Sequence, residues 1–503
     1  MSSPTRTVRV ARSTLPTPLG ERNWTGFVLG SVCTTAGIAT WSFVVGGSSA
    51  FYLDAKMGTV AMLAGGLIGQ FLVTLATIPA STKFGIETVI STKPQLGIRG
   101  SYLALFMQYC TALGWNCVLM IFFGKSAASI LVTLGIIGDS SRSTAATVIT
   151  LVGIVLVWSM VSRGSDSLQK VGPLVAVLIC LMAVWLMYLL IHEHGLSNIA
   201  DAEPIAPWPD RLLNYTSVVE LLIVSTWGWW SYMGGMVRMV DSARKAVLPS
   251  MLGLGVAWVI VAAISLYAAL MTGEPDPTVW ATEIAGEAGG VLVLAFIAFA
   301  NLGSTLVGAY VASLGVSQVP AIGHRIPWRW IAAIVLSPMV LVVLFFEGPF
   351  SNNIDRFMAF IGLMIAPMVG IQIADWYVLR RRDKLRVSCL YRHDPSSRYW
   401  YLAGFNPAGI VALVVGSATY QLILNPVTYE PRSDVFKYVT ASLPALVIAA
   451  VVYSLLSLTL LRGWAEKSGV AQTDSRAGDP PTSGRRGSRS VYSEDSAYSE
   501  GDA

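Results

Sequence analysis

Charge is what this chain has least of. Only 13% of its 503 residues are Asp, Glu, Lys or Arg, against roughly 25% in a soluble domain. Histidine is also scarce, at four, and cysteine numbers five. Cys33, Cys110, Cys117, Cys180 and Cys389 lie in apolar stretches or on one basic side of them, so no disulfide framework is expected. His192 and His194 are two apart, a spacing that splits them between helix faces, so no transition-metal site is expected there. No Walker motif, Ser/His/Asp arrangement or metal-ligand cluster occurs, which argues against an enzyme or an ATP-driven pump. The apolar stretches carry no ionisable residue at mid-depth. Lys125 and Glu220 read as outer helix-end residues that snorkel or face water. Intramembrane charge marks ion and charged-substrate paths. Its absence points to a neutral substrate and away from a carboxylate proton relay.

What the chain has in abundance is apolar sequence: 54% hydrophobic residues and a mean hydropathy of +0.61. Stretches long enough to cross a ~30 Å hydrocarbon core recur throughout. The expected fold is an all-α polytopic membrane protein of about twelve helices, near 24–53, 57–79, 101–134, 144–162, 168–191, 215–240, 247–272, 289–316, 329–347, 355–379, 405–424 and 438–461. Residues 1–23 are polar, with Arg6, Arg9, Arg12 and Arg22, and read as a cytosolic tail with no signal peptide. With that end inside, 27 of the 34 Lys and Arg fall on the cytosolic side. The exceptions include Lys56, Arg142, Arg211 and Arg432. Outer loops are acidic, with Asp201, Glu203, Asp210, Glu274, Asp276, Glu283 and Glu287. The positive-inside rule then puts both termini in the cytosol of a cell-membrane protein.

The 24–462 membrane domain divides into two sets of five spans, about 24–191 and 215–379, followed by extra helices at about 405–461. Residues 463–503 are rich in Ser, Gly, Arg, Asp and Glu and are expected to be disordered. Their repeat, Tyr492-Ser493-Glu494 and Tyr498-Ser499-Glu500, reads as passive tail or as a phosphorylation or sorting element.

Each set opens with an interrupted helix. The first carries Ala36-Gly37-Ile38-Ala39-Thr40-Trp41 and Gly46-Gly47-Ser48-Ser49. The second carries Ser225-Thr226-Trp227-Gly228-Trp229-Trp230 and Gly234-Gly235. Irregular backbone at membrane depth is tolerated where it lines a cavity. A matched pair of broken segments marks the binding site of a secondary transporter. In the third span, Gly114-Trp115-Asn116 offers an indole to stack on a flat heterocycle and an amide to hydrogen-bond it; packing between helices is the other reading. In the eighth, Asn301, Ser304 and Thr305 share one face at i, i+3 and i+4. Their oxygens suit Na⁺, or interhelical hydrogen bonds.

Several phrases together resemble the nucleobase–cation symporter family of cytosine, purine, uracil, allantoin and hydantoin permeases. They are Pro94-Gln95-Leu96-Gly97-Ile98-Arg99-Gly100-Ser101 with Gly114-Trp115; Met236-Val237-Arg238-Met239 with Ala243-Arg244-Lys245-Ala246; Pro367-Met368-Val369-Gly370-Ile371 running into Ala374-Asp375-Trp376-Tyr377-Val378-Leu379-Arg380-Arg381; and Gly404-Phe405-Asn406-Pro407-Ala408. The resemblance covers about residues 20–425. It implies a five-plus-five inverted repeat like that of sodium-coupled amino-acid carriers, plus two C-terminal helices. It implies a heterocycle held between helices one, three, six and eight. Trp115 falls on the family's stacking Trp, with Asn116 beside it. Ser225 and Thr226 fall on its sixth-helix contacts, with Trp227, Gly228 and Trp229 following. Asn301, Ser304 and Thr305 match its cation pattern, and Thr35, Ala36 and Ala39 the carbonyl ligands opposite. Two positions depart: Ala112 stands where the cytosine permeases have Gln, and Met236 where an acidic residue is usual.

The expectation is a symporter importing an uncharged heterocycle with Na⁺, or less favourably H⁺. It would work as a monomer in a lipid bilayer, with no nucleic-acid partner and no cofactor beyond the coupling ion. An amino-acid or amine carrier of the same fold, and a non-transporting receptor or scaffold, are the alternatives.

Overall fold

A computed structural model describes residues 15–163, 168–323, 325–379 and 385–467. Residues 1–14 of the expected N-terminal tail, and the C-terminal tail from 468 on, lie outside the described residues. The described residues are helical almost throughout, as the apolar runs require: a backbone crossing lipid must satisfy its polar groups within the segment. The helices used below are α1 (Gly26–Gly37), α2 (Thr40–Ser49), α3 (Ala55–Phe84), α4 (Ser101–Thr133), α5 (Arg142–Val161), α6 (Leu168–His194), α7 (Arg211–Trp227), α8 (Trp230–Val237), α9 (Ala243–Thr272), α10 (Pro277–Ser317), α11 (Trp328–Phe345), α12 (Ile354–Ile373), α13 (Pro407–Ile423) and α14 (Ser442–Lys467). Side-chain caps set several starts. Thr25 accepts from Val28 N at 3.2 Å and Asp54 from Met57 N at 2.7 Å. Gly85, at φ 67°, ends α3 in the left-handed region.

Among the described residues nine helices are long and apolar enough to cross a membrane, ten when α1 and α2 count as one bent span. The expected spans 215–240 and 405–424 contribute 17-residue helices, α7 and α13.

Small residues set the packing. Gly46 of α2 lies against Ala262 of α9, Gly66 of α3 against Val259 and Trp258 of α9, and Gly69 of α3 against Ile223 and Thr226 of α7. The bent helix, α3, α7 with α8, and α9 thus form one bundle. A separate apolar cluster unites α4, α5, α10 and α11 through Cys117, Met120, Ile154, Val157, Leu306, Ala309, Leu336 and Met339. These two groups, each built from two helices of either set, face one another across α4 and α10.

Two expectations are corrected. The acidic 273–288 stretch is not an open outer loop. α10 starts there, capped by Asp276, and turns at Gly286 (φ 65°, ψ 176°). Trp280 and Ala281 are fully buried while Glu283 and Glu287, on either side of the Gly286 turn, stay exposed, so the carboxylates belong to a packed segment and not to an open loop. Glu220 does not face water. It is fully buried, and its Oε2 accepts from Ala441 N and Ser442 N, both at 3.2 Å, and from Ser442 Oγ at 2.7 Å. Chain 424–442 folds over it and presents the N-terminus of α14, where a carboxylate is stabilised by the orphan N–H groups. Lys125 Nζ lies 3.7 Å from Asp276 Oδ2, at the start of α10.

Candidate substrate and ion site

The first interruption is a true break. Ile38 (φ −103°, ψ 85°) and Ala39 (φ −138°, ψ −179°) leave the helical region, and α1 meets α2 at 54°. Gly37 permits this against α9: a Cβ there would stand 2.5 Å from Gly253 O, in a wide π-type turn over Leu252–Ala257. Such turns often accompany functional sites. At the break, Ala36 O accepts from Trp41 Nε1 at 3.3 Å, and Ala39 O from Ser42 N at 3.0 Å and Ser42 Oγ at 2.6 Å. The orphan N–H of Thr40 donates to Asn301 Oδ1 of α10 at 3.1 Å. Around this bond, Thr40 Oγ1, Asn301 Nδ2, Ser304 Oγ and Thr305 Oγ1 have no partner.

The second interruption keeps helical dihedrals. Gly228 (φ −51°, ψ −33°) and Trp229 (φ −66°, ψ −20°) form a tightened turn, with Gly228 N bonded to Ser225 O at 3.2 Å and Trp229 N to Thr226 O at 3.0 Å. Helical phase therefore continues, and Ser225, Gly228, Trp229 and Tyr232, at i, i+3, i+4 and i+7, fall on one face. That face lines a cavity of about 450 Å³ including its open mouth. Ala36 and Trp41 come from the first break, Trp115, Asn116 and Leu119 from α4, and Ser304, Val307 and Gly308 from α10. None of the twelve lining residues is charged.

Trp41 is the hub of the aromatic wall. Its ring centroid lies 5.6 Å from that of Trp115 and 5.7 Å from that of Trp229, edge-on at 68° in both cases, with Trp258 behind at 4.9 Å. Trp115 is braced by Phe357 at 5.6 Å and Trp229 by Tyr232 at 5.6 Å. Edge-to-face contacts of this kind fix ring planes.

Of the residues singled out from sequence, Ala36, Trp115, Asn116, Ser225, Gly228, Trp229 and Ser304 line the cavity. Ala112, Thr226 and Trp227 do not. Ala112 is sealed within the packed core. Thr226 points at Gly69 of α3 and donates to Ile223 O at 2.7 Å. Trp227 is fully buried on another face of α7, so the tryptophan of this segment that lines the cavity is Trp229, not Trp227. Trp230 faces away too, its Nε1 donating to Gln372 Oε1 at 2.6 Å. Thr35 and Ala39 sit at the first break, and Asn301 and Thr305 on the face of α10 that meets it. Trp41, Leu119, Tyr232, Val307 and Gly308 were not singled out. The 3.6-residue period extended from Ser225, Trp115 and Ser304 reaches Tyr232, Leu119, Val307 and Gly308. Trp41 stood in the motif of the first break.

The family model of permeases for cytosine/purines, uracil, thiamine and allantoin matches residues 18–440. The chain belongs to that family. The permease is 19% identical to a hydantoin permease of Microbacterium maritypicum over 410 residues, 77% of this chain and 80% of that one. It is 23% identical to the purine-uracil permease NCS1 of Arabidopsis thaliana over 438 residues, 75% of this chain and 66% of that one. With the allantoin permease of Bacillus subtilis (strain 168) it shares 22% over 368 residues, covering 67% and 71%. Its fold is similar to that of Mhp1 in an inward-facing conformation (TM-score 0.72, 17% identity, 91% of this chain and 94% of Mhp1). The closed form of Mhp1, a nucleobase-cation-symport-1 family transporter with bromovinylhydantoin bound, gives a TM-score of 0.71 at 17% identity, over 89% and 96% of the chains. The protein is a multi-pass membrane permease with the inverted-repeat carrier fold, and not an enzyme.

Proposed function

We propose that this permease is a secondary symporter that imports an uncharged nucleobase or related planar heterocycle, of the cytosine, purine, uracil, allantoin or hydantoin class, together with Na⁺. One observation carries the reading: an uncharged cavity walled by Trp41, Trp115 and Trp229 adjoins, through Ser304, a set of unpaired oxygens at a broken helix. Stacking on such indoles is worth ~1–3 kcal/mol per base. Unwound carbonyls and helix ends are where carriers of this fold hold Na⁺. The ion's ligands are drawn from the carbonyls of Thr35, Ala36 and Ala39 with Asn301, Ser304 and Thr305. An amino-acid or amine substrate would need a charged partner, and the wall has none.

In this reading repeat one spans about 24–191 and repeat two about 215–379, with extra helices at about 405–461. The monomer works in the cell membrane with both termini in the cytosol. The bundle of α1, α2, α3, α7, α8 and α9 rocks against the scaffold of α4, α5, α10 and α11 about the cavity. Uptake into proteoliposomes under imposed gradients tests it. Radiolabelled heterocycle should accumulate under an inward Na⁺ gradient and not under a pH gradient alone. Unchanged rate and accumulation without Na⁺ would remove the sodium assignment. Absence of any heterocycle uptake would remove the substrate class.

A further inference from the structure

The first half of α7 is laced to one distant segment of the chain. Asp210, the cap of α7, pairs with Lys437 Nζ at 3.0 Å. Thr216 Oγ1 donates to Lys437 O at 2.6 Å, and Tyr429 Oη donates to Ser217 O at 3.1 Å. Glu220 Oε2 accepts from the N–H groups of Ala441 and Ser442 and from the Ser442 hydroxyl. Ser217, Glu220 and Val224, at i, i+3 and i+7, share one face of α7. Val224 carries that face onto Gly362 of α12, where Tyr420 of α13 also packs.

Burying a carboxylate in an apolar bundle is unfavourable unless its partners are fixed in place. Here a strained backbone presents them. Thr440, directly before Ala441, is held at φ 62° and ψ −170°, and Tyr429 at φ 58°. Residues with side chains rarely adopt such conformations, which persist where the surroundings over-determine them. Both strained residues lie at contacts with α7. That helix leads straight into the cavity wall: Ser225, a lining residue, follows Glu220 by about 7.5 Å along the axis. The twelve lining residues include none from α13 or α14. Those two helices pack on each other and on α12, and α14, with residues 436–439 before it, packs on α7.

We propose that Glu220 is a positioning residue for transport. It holds the first half of α7 against α14, and α13 and α14 therefore travel with the bundle that carries α7. The inference rests on the rocking-bundle reading and extends it to the two helices that reading leaves unassigned. Glu220 touches neither ring nor ion. It acts through α7, by fixing where Ser225, Gly228 and Trp229 stand in the wall.

Cross-linking of the full-length permease in proteoliposomes tests the joint movement. Asp210→Cys with Lys437→Cys replaces a partly exposed ion pair by two thiols, and a short bifunctional thiol reagent then joins α7 to the 424–442 segment. Wild type treated with the same reagent controls for the native cysteines. Uptake of radiolabelled uracil, hypoxanthine or allantoin, whichever the wild type accumulates, should be unchanged by the cross-link. Uptake present before cross-linking and lost after it would show that the segment slides past α7. That result would overturn the proposal and leave the heterocycle reading standing. No uptake by any form, wild type included, would overturn both. Positioning is read separately, by equilibrium binding of the same heterocycle. Glu220→Leu should weaken binding to the folded protein by about ten-fold. Glu220→Gln, which keeps an acceptor for the same donors, should restore most of it. A lower Tm with unchanged affinity in Glu220→Leu would mark a merely structural role and overturn the assignment. If that variant does not fold, hydrogen exchange on the wild type decides. Amides over 436–443 should stay equally protected with and without Na⁺ and heterocycle, and faster exchange on ligand addition would overturn the proposal.

Discussion

The two interrupted helices look alike in sequence and are physically different. At Ile38–Ala39 the backbone leaves the helix, bends by 54° and hands the Thr40 N–H to Asn301 of another helix. At Gly228–Trp229 the dihedrals stay helical, and the gain is room for a side chain: a Cβ on Gly228 would stand 2.4 Å from Trp115 Nε1. Glycine, tryptophan and small hydroxyl residues serve both ends. In the first they free backbone groups from the helix. In the second they let an indole from α4 approach a helix that is hardly broken. The proposed pairing of an ion with the first region and a ring with the second rests on that difference.

The comparison can be broken at either end. Gly228→Val should have the largest effect, because it drives a side chain into Trp115. Heterocycle affinity should fall by about 10–100-fold, the range set by loss of one stack, with Na⁺ binding intact by ligand-induced thermal shift. Trp115→Ala should match it. Equal loss of Na⁺ binding would show that the regions are not separable. Ser304→Ala combined with Thr305→Ala should raise the half-saturating Na⁺ for uptake by about ten-fold while substrate still binds at high Na⁺. A smaller effect, on stability alone, is expected for Gly37→Ala, whose Cβ meets Gly253 O at 2.5 Å. Overpacking of this kind costs about 1–3 kcal/mol and should lower Tm in detergent. Gly303→Ala, with open space around it, should not.

The smallest effect lies away from both breaks. Lys93 is nearly buried in the connection between α3 and α4, and its Nζ donates to Leu390 O at 2.6 Å. Burial pushes its ammonium down to about 8, with Glu87 opposing the shift. Above that pH the folded state has released a proton that the unfolded chain keeps until near its ordinary value. Stability should therefore rise as pH increases from about 8 to about 10. Lys93→Gln should flatten the rise, as read by Tm across that range; an unchanged slope would place the titration elsewhere.

Much of this was legible in the sequence because helical periodicity and membrane energetics act locally. Ser225, Gly228, Trp229 and Ser304 could be named because each lies near a break or on an i, i+3, i+4 stripe, and Trp115 and Asn116 because an indole and an amide stand together inside a long apolar span that resembles the family's third helix. The choice among Trp227, Trp229 and Trp230 was not legible. It depends on helical phase running through Gly228, and that phase follows from tertiary contacts between Gly228 and Trp115. Glu220 was misplaced for a similar reason. Its hydropathy context is an outer helix end, but chain 424–442, more than two hundred residues on, covers it and supplies its donors. The 273–288 stretch carried outer-loop charge yet buries Trp280 and Ala281 in the first turns of α10.

The central claim is that an ion at the first break and a ring beside the second share one cavity wall through Ser304. Titrating heterocycle affinity against Na⁺ concentration on the purified wild-type permease tests it directly. The account predicts that affinity rises with Na⁺ and that the heterocycle strengthens Na⁺ binding by the same factor, as linkage requires. Heterocycle affinity independent of Na⁺ across the titration would contradict it.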